Sequence, residues 1–298
     1  AVGKRHGRYR VVPRSKATLP LTFGSRATRS LRMTDEATAP KEKGGFFKTL
    51  LLLLLFVWVL RSFVFAPFSI PSGSMLPTLF IGDHLVVSKW PYGYSRASFL
   101  FGFPPVEGRF FASLPERGDI VVFRGPQGND VIKRVIGLPG DTIATRGGRL
   151  VLNGKLVRRE DAGRFALPVT PNSPCRVVPP GVPFLRQGAE GPECLYPLFR
   201  ETLPNGRSYE VLDQVDNPVA DEFGPVTVPQ GHVFLMGDNR DDSADSRFGA
   251  PEGMGYVPVE ALVGRAEVNF WSTDGSAEWL KPWTWLSALR GDRIGETF

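Results

Sequence analysis

Residues 130–141 read DVIKRVIGLPGD, a β-branched run closed by a Leu-Pro-Gly-Asp turn. This pattern predicts a strand that ends at the turn. Because side chains alternate along a strand, Lys133 faces one side and Arg134 the other, each between β-branched neighbours. At least one of these cations must therefore lie on an apolar face. If that cation is Lys133, loss of water disfavours the ammonium and leaves a neutral amine that can take a proton from a serine; the alternative is a lysine on the solvent face of an edge strand.

The composition around this strand favours a mainly β fold. Of the 298 residues, 42% are hydrophobic and 22% are charged, which is the range of folded proteins. The 33 glycines and 27 prolines are spread along the chain without a period. That distribution is typical of short strands joined by tight turns, and less so of a helical bundle.

The positive charge belongs to one end of the chain. The formal net charge is +6, but residues 1–32 carry nine Lys or Arg and no acid, so that 27 basic and 30 acidic residues remain in the rest. A polar stretch typical of protein starts begins at Met33, and we expect residues 1–32 to be a disordered tail or a stretch translated from a start codon placed too early. The alternative, a nucleic-acid-binding arm, rests on a basic run alone, so no nucleic-acid partner is expected.

One segment is apolar enough to enter a membrane. Residues 46–68 read FFKTLLLLLLFVWVLRSFVFAPF. The uncharged part, 49–60, is shorter than the roughly 20 residues that a span needs, so Lys48 and Arg61 must extend toward the two headgroup layers. We predict a single transmembrane anchor over residues 46–66.

The flanks of this anchor predict its orientation. Lys41, Lys43 and Lys48 precede or open it, which by the positive-inside rule keeps the N-terminus in the cytoplasm and exports the rest of the chain. A cleaved signal peptide ending at Ala66 is the alternative. Pro67 directly after that cut would make a poor substrate, so a retained anchor is favoured.

Both cysteines, Cys175 and Cys194, fall in the exported part, where disulfides are permitted. A bond between them would close a loop of about 20 residues and stabilise the fold by about 3 kcal/mol. Two free thiols are the alternative.

A candidate nucleophile follows the anchor. Residues 70–79 read IPSGSMLPTL, and Pro71 and Pro77 keep the chain between them out of a helix or a central strand. Ser74 is thereby presented on a constrained loop, as a nucleophile requires. An ordinary turn is the alternative.

A third polar segment lies toward the end of the chain. Residues 236–247 read MGDNRDDSADSR, whose hydroxyls and Asp–Arg pairs could orient a lysine and hold nearby loops. A calcium loop is the alternative, but Ser246 stands where such a loop needs glycine. Its remaining ligands would be Asp241, Ser243, Asp245 and Glu252. Three histidines in the whole chain are too few for a zinc centre, so neither a metal nor another cofactor is expected.

Other serine hydrolases fit less well. Ser74 does not lie in G-x-S-x-G and no S-x-x-K occurs, which argues against α/β-hydrolases and penicillin-recognising enzymes. A Ser-His-Asp triad would need His84 or His232. Both have the surroundings of structural residues, the first beside a turn and the second before a strand.

These segments, in this order after an anchor, resemble the bacterial type I signal peptidase family of serine proteases. The resemblance implies Ser74 as nucleophile and Lys133 as general base, and a lysine at this place marks the bacterial form of the family. The matching stretches are IPSGSMLPTLFIGD (70–83), RGDIVVF (117–123), KRVIGLPGD (133–141), GDNRDDSADSR (237–247) and VGRA (263–266).

The resemblance also implies the groups that support the dyad. Ser74 N–H and the Ser72 hydroxyl would stabilise the oxyanion. Ser243 would orient the lysine, and Asp245 would pair with Arg247 or Arg240.

The implied substrates are signal peptides of exported preproteins, cut after a small-x-small pattern, typically Ala-x-Ala. Shallow apolar pockets would select the small side chains, and the residues expected to line them are Phe68, Ile70, Met75, Leu79, Leu85, Ile132 and Ala244. We expect a monomer that contacts the lipid bilayer. It would cross the bacterial inner membrane once, with its N-terminus in the cytoplasm and its catalytic domain on the periplasmic side.

The implied fold is an antiparallel β catalytic core with an inserted second β domain, preceded by one transmembrane helix. The core would comprise residues 67–145 and 231–298, and the insertion residues 146–230. The basic and polar tail, 1–45, and the anchor, 46–66, would precede it. Many members have two transmembrane segments before the serine, whereas this chain shows one.

Two aromatic stretches have no motif: residues 90–111, and the four tryptophans Trp271, Trp279, Trp283 and Trp285. We predict that they rest at the membrane interface, where tryptophan and tyrosine are favoured. Packing in the core is the alternative.

Two other functions stay open. A related Ser/Lys peptidase with a dedicated substrate, such as a conjugation-associated peptidase or a self-cleaving repressor, would keep the dyad, although the anchor argues against the repressor. A catalytically inactive anchored β protein that binds exported chains would keep the fold, but it would not need both Ser74 and Lys133.

Overall fold

The computed structural model describes residues 43–175, 184–189, 191–278 and 280–298, so most of the predicted tail, 1–45, lies outside the described residues. Residues 46–298 form one compact unit. Within the described ranges there are three α-helices: α1 (Lys43–Val59), α2 (Pro218–Asp221) and α3 (Trp283–Ser287).

The apolar segment forms helix α1 and a π-helical turn, Leu60–Val64. Together they give a candidate span of 20 residues, Gly45–Val64, of which 6% is buried inside the protein. At 1.5 Å per residue this is about 30 Å, the thickness of a hydrocarbon core. The last two residues of the predicted anchor, Phe65 and Ala66, lie in the first strand.

The rest of the described chain is mainly strand, which confirms the expected fold class. In chain order the strands are β1 (Phe65–Ser69), β2 (Asp83–Ser88), β3 (Tyr94–Ser95), β4 (Arg109–Phe110), β5 (Ile120–Arg124), β6 (Asp130–Gly137), β7 (Thr142–Arg146), β8 (Arg149–Leu152), β9 (Lys155–Leu156), β10 (Arg158–Pro168), β11 (Leu185–Gln187), β12 (Pro192–Thr202), β13 (Ser208–Leu212), β14 (Val226–Thr227), β15 (His232–Met236), β16 (Val257–Pro258) and β17 (Leu262–Ser272).

The largest sheet has seven strands in the order β1-β2-β17-β5-β6-β15-β16, and every neighbouring pair is antiparallel. The strands between β6 and β15 in sequence form two further sheets, β14-β7-β8-β9 and β10-β12-β11 with β13 beside β12. The predicted insertion, 146–230, thus begins inside the β7–β8 hairpin. Ile136 of β6, Ile143 of β7 and Phe234 of β15 share one hydrophobic cluster, so the sheets are joined by a continuous core.

Strand β6 lies between β5 and β15, with Lys133 opposite Val121 and Arg134 opposite Met236. A strand with a partner on each edge and protein on both faces must bury the cations of both faces. Lys133 is 3% exposed and Arg134 is 6% exposed. The alternative of a lysine on the solvent face of an edge strand is therefore wrong, because β6 is a central strand.

Candidate active site

The loop that carries Ser74 connects edge strand β1 to β2. Residues 237–239 pack against this loop. Asn239 donates from its backbone N–H to the Ser74 carbonyl oxygen and from its side-chain amide to the Gly73 carbonyl oxygen, each at 3.1 Å. Gly237 lies so close that a Cβ there would come within 2.5 Å of the Ser74 carbonyl oxygen. The loop is thus fixed by contacts with a segment more than 160 residues later in the chain.

The structure brings the two predicted dyad residues together. The Nζ atom of Lys133 lies 2.6 Å from the Oγ atom of Ser74, and both side chains are buried. Burial lowers the pKa of Lys133 to about 8, against the opposing effect of the Asp245 and Asp238 carboxylates. A lysine with this pKa is partly neutral near neutral pH, so its lone pair can accept the serine proton.

The predicted oxyanion groups lie beside the nucleophile. The Ser72 Oγ atom is 3.5 Å from the Ser74 Oγ atom. Within the described residues the Ser74 N–H donates to no acceptor. The Ser74 N–H can therefore donate to a ligand, whereas the Ser72 hydroxyl contacts the nucleophile itself. The oxyanion role of the two groups stays a prediction.

Asp245 pairs with Arg247, one of its two predicted partners. The Arg247 Nε–Asp245 Oδ1 distance is 2.9 Å, and Asp245 Oδ2 also accepts the Gly237 N–H at 3.0 Å. Burial by itself would raise the pKa of Asp245, but the guanidinium of Arg247 holds that pKa below its ordinary value. Arg240 pairs instead with Glu201, with Nη1 and Oε1 2.9 Å apart, so this arginine ties the loop to the inserted strand β12.

Ser243 does not form the predicted hydrogen bond to Lys133. Its Oγ atom is buried and has no hydrogen-bond partner within the described residues. It lies against Gly237, where a Cβ would come within 2.3 Å of that oxygen. The orienting role of Ser243 stays a prediction.

Sequence reasoning missed a further buried ion pair, the one between Arg134 and Asp238. Arg134 Nε donates to Asp238 Oδ1 at 2.8 Å, and the Thr78 hydroxyl donates to Asp238 Oδ2 at 2.6 Å. The guanidinium also lies 4.3 Å from the centre of the Tyr209 ring. These contacts join β6 to the nucleophile loop and to strand β13. The only signal in the sequence was the position of Asp238 next to an apolar strand; its partner lies 104 residues away.

A cleft of about 720 Å³ opens over the dyad. Of the predicted pocket residues, Phe68, Ile70, Ile132 and Ala244 line it. The other three are fully buried and pack against Ile70 and Ile132 in the hydrophobic core: Met75, Leu79 and Leu85. These three support the cleft from below and do not form its surface.

The alternatives with histidine or calcium find no support in the geometry. The Nδ1 atoms of His84 and His232 interact with backbone carbonyl oxygens of Gly82 and Gln230, at 3.2 and 3.0 Å. Among the residues that the structure describes, neither ring is hydrogen-bonded to a serine. Arg247 contacts both carboxylate oxygens of Asp245, which would be a ligand of the calcium loop.

The two cysteines are joined. Cys175 and Cys194 form a disulfide with their Cα atoms 5.5 Å apart. Cys194 lies in β12 opposite Leu167 of β10, so the bond ties the segment before residue 176 to the second sheet of the insertion.

A serine hydroxyl against a buried amine, at the floor of an open cleft, has the parts of a serine hydrolase. The chain belongs to the family described as signal peptidase, peptidase S26, whose model matches residues 44–271. It is accordingly a serine peptidase that removes signal peptides.

Individual relatives agree with this family. A signal peptidase I of Rickettsia typhi is 34% identical over 271 residues, which cover 83% of this chain and 91% of the relative. One of Rickettsia massiliae is 34% identical over 288 residues, covering 90% of this chain and 96% of the relative. A crystal structure of a signal peptidase I from Enterococcus faecalis is 25% identical and covers 51% of this chain and 97% of that chain, with a TM-score of 0.27.

Proposed function

We propose that the chain is a membrane-anchored endopeptidase in which Ser74 is the nucleophile and Lys133 the general base. The observation that carries the proposal is the 2.6 Å contact between Nζ and Oγ, buried on both sides, with the pKa of the amine lowered to about 8. A lysine kept from water can be neutral without a histidine beside it. The chain therefore needs no triad and no metal to activate its serine.

The proposed reaction has two stages. Neutral Lys133 takes the hydroxyl proton as Ser74 Oγ attacks the scissile carbonyl, and the oxyanion accepts hydrogen bonds from the Ser74 N–H and the Ser72 hydroxyl. The lysine ammonium then protonates the amine of the mature chain, which departs. The signal peptide remains bound to Ser74 as an ester. Water, deprotonated by Lys133, hydrolyses that ester and regenerates the serine.

The cleft supports a preference for small side chains beside the cut. Its apolar floor comes from Ile70 and Ile132, and both are backed by fully buried core residues. A floor packed in this way cannot yield to a large side chain without overpacking the core. We therefore propose cleavage after small-x-small sequences such as Ala-x-Ala.

The proposed location is the bacterial inner membrane, crossed once by α1 and the turn that follows. The lysines before the span hold the N-terminus in the cytoplasm and place the sheets on the periplasmic side. Ser74 lies nine residues after Phe65, so it can be at most about 30 Å from the membrane edge along the chain. A signal peptide that is still in the membrane presents its cleavage site within that distance.

Part of the first aromatic stretch supports contact with the bilayer. Phe101 is 92% exposed and Phe111 is 88% exposed, and both have left-handed backbone conformations, with φ of 60° and 52°. The left-handed conformation raises the free energy of a bulky residue, which favours a functional reason for the outward placement of these two rings. The stretch also packs on the end of the anchor, where the rings of Phe63 and Phe99 have centroids 5.2 Å apart.

Of the tryptophans near the end of the chain, Trp283 is 72% exposed, Trp285 is 45% exposed and Trp271 is 40% exposed, and Trp279 lies outside the described residues.

To test the interfacial role, the double variant Phe101→Ser, Phe111→Ser should cleave a preprotein in lipid vesicles more slowly than wild type, while cleaving a short peptide in detergent at the wild-type rate. Equal rates on both substrates would contradict the role.

Cleavage of a preprotein by the full chain in detergent tests the dyad. We expect Ser74→Ala and Lys133→Ala to lose more than about a thousandfold in rate, because removing either member of a nucleophile–base unit removes the pathway. Two exposed residues provide matched controls, Ser113→Ala and Lys155→Ala, and these should cut at the wild-type rate. Activity retained in Ser74→Ala would refute the proposal. Cleavage of only one preprotein from a varied set would favour the alternative of a dedicated peptidase.

A further inference from the structure

A second pocket, of about 260 Å³, lies on the other side of the nucleophile loop. Ser72 and Gly73 form its near side, and Leu167, Ser173 and Tyr196 of the insertion contribute to its far side. None of the predicted pocket residues lines it. It is not the cleft that holds the dyad, since neither Ser74 nor Lys133 reaches it.

The cleft and the second pocket are nevertheless continuous. Ser72 and Asp242 line both of them, so the pocket begins where the cleft ends. A substrate that lies in the cleft with its scissile carbonyl over Ser74 can therefore extend past these two side chains into the second pocket.

We propose that this pocket receives the side chain of one of the first two residues of the chain that is released, and so selects at the start of the mature protein. The inference rests on the proposed function, because it uses the direction in which a substrate crosses Ser74. Successive side chains of an extended peptide point to opposite sides, so only one of the two positions should respond.

The lining defines the side chain that fits. Leu76, Leu167 and Tyr196 supply apolar walls, whereas the carboxyl group of Asp242 lies at the rim shared with the cleft. A medium-sized apolar side chain gains contacts here by leaving water. An acidic side chain is disfavoured, because the apolar walls cannot replace the water it loses.

Hydrogen-bonded amides fix one part of this wall. The side-chain amide of Asn239 donates to the Gly73 carbonyl oxygen, so its Oδ1 atom must accept, and it does so from Nε2 of Gln214 at 2.5 Å. This chain of bonds determines which end of the Gln214 amide is oxygen. The Oε1 atom that remains is buried, and no donor in the described part of the chain reaches it. These bonds hold both amides in place beside the pocket.

The far wall is held in place, as a selective pocket requires. Leu167 lies opposite Cys194 in the β10–β12 pair, and Cys194 is bonded to Cys175. The Tyr196 hydroxyl reaches the Sγ atom of Cys175 at 3.9 Å. The pocket therefore has a covalently tied wall, and its size cannot adapt freely to the ligand.

The test uses the full chain in detergent and peptides that share one signal sequence and differ only in the first or second residue after the cut, which is Ala, Leu, Trp or Asp. For wild type we expect kcat/KM to be at least about tenfold higher with Leu than with Asp at one of the two positions, the size typical of a side chain gained or lost in such a pocket. Leu167→Ala enlarges the pocket and should move the preference toward Trp. Ser173→Phe fills the pocket and should move it toward Ala, while the exposed Leu156→Ala of β9 should leave the order unchanged.

These outcomes separate the inference from the function on which it rests. Each comparison is a ratio between substrates for one enzyme, so a variant that is only partly folded still gives a valid result. Equal kcat/KM values for all four residues at both positions, or an order that neither pocket variant alters, would overturn the inference while cleavage itself continued. Cleavage that survives in Ser74→Ala would instead refute the proposed function.

Discussion

Replacing Lys133 by methionine keeps most of the side-chain volume and removes the amine, so it should stabilise the protein at neutral pH while abolishing activity. The pKa of this lysine is about 8, against 10.5 for an exposed lysine. At about 1.4 kcal/mol for each pH unit between the two values, charging the buried amine costs the folded state about 3 kcal/mol. Loss of the hydrogen bond to Ser74 destabilises the variant by about 1 kcal/mol, so its free energy of unfolding should exceed that of the wild type by about 2 kcal/mol.

The gain has a defined pH window. Below pH 8 both the folded and the unfolded lysine are protonated, so the folded state carries the full cost. Between pH 8 and 10.5 the unfolded chain binds the proton and the folded chain does not, so the stability of the wild type rises with pH. Above that window the cost is gone, and the variant should be the less stable protein by about 1 kcal/mol.

Thermal unfolding of the full chain in detergent, followed by circular dichroism, measures the effect. For a protein of this size the gain at pH 7 corresponds to a melting temperature about 3–4 °C higher in Lys133→Met. Lys155→Met is the control, since Lys155 is exposed in β9, and its melting temperature should equal that of the wild type. A Lys133→Met protein that melts below the wild type at pH 7 would refute the reasoning that burial sets the pKa of this amine.

Three further outcomes are expected. The logarithm of kcat/KM should rise by about one per pH unit up to about pH 8 and then level off. Lys89 is also buried, and burial lowers its pKa to about 8 as well. The pH profile of Lys89→Met should nevertheless match that of the wild type. A shifted profile would show that the titration belongs to Lys89 and not to Lys133. Glu201→Ala should lower the free energy of unfolding by about 3–5 kcal/mol, because it leaves the buried Arg240 unpaired. Adding Arg240→Met should restore most of that free energy in urea titrations. If the two substitutions instead destabilise the protein additively, the explanation is wrong. Replacing Cys175 and Cys194 by serine should cost about 3 kcal/mol in the same titrations, and an unchanged midpoint would show that the bond contributes nothing.

Several features of the site could be predicted without coordinates because they depend on neighbours in the chain. Alternation and a turn identified β6, paired prolines identified the constrained Ser74 loop, and a run of apolar residues identified the span. Each is a local pattern of backbone preference or hydrophobic period. The resemblance of the motifs then indicated which serine and which lysine to pair.

The sequence alone determined that one cation of β6 had to be buried, that a serine would be held on a stiff loop, and that the chain contains an apolar run long enough to be a candidate membrane span. The tertiary structure decided that both Lys133 and Arg134 are buried, since this follows from the central place of β6 in the sheet. It also decided that Arg240 pairs with Glu201 rather than Asp245, and that a second pocket continues the cleft. These outcomes depend on distances between segments tens to hundreds of residues apart, which are set by strand register and packing and leave no trace in local residue order.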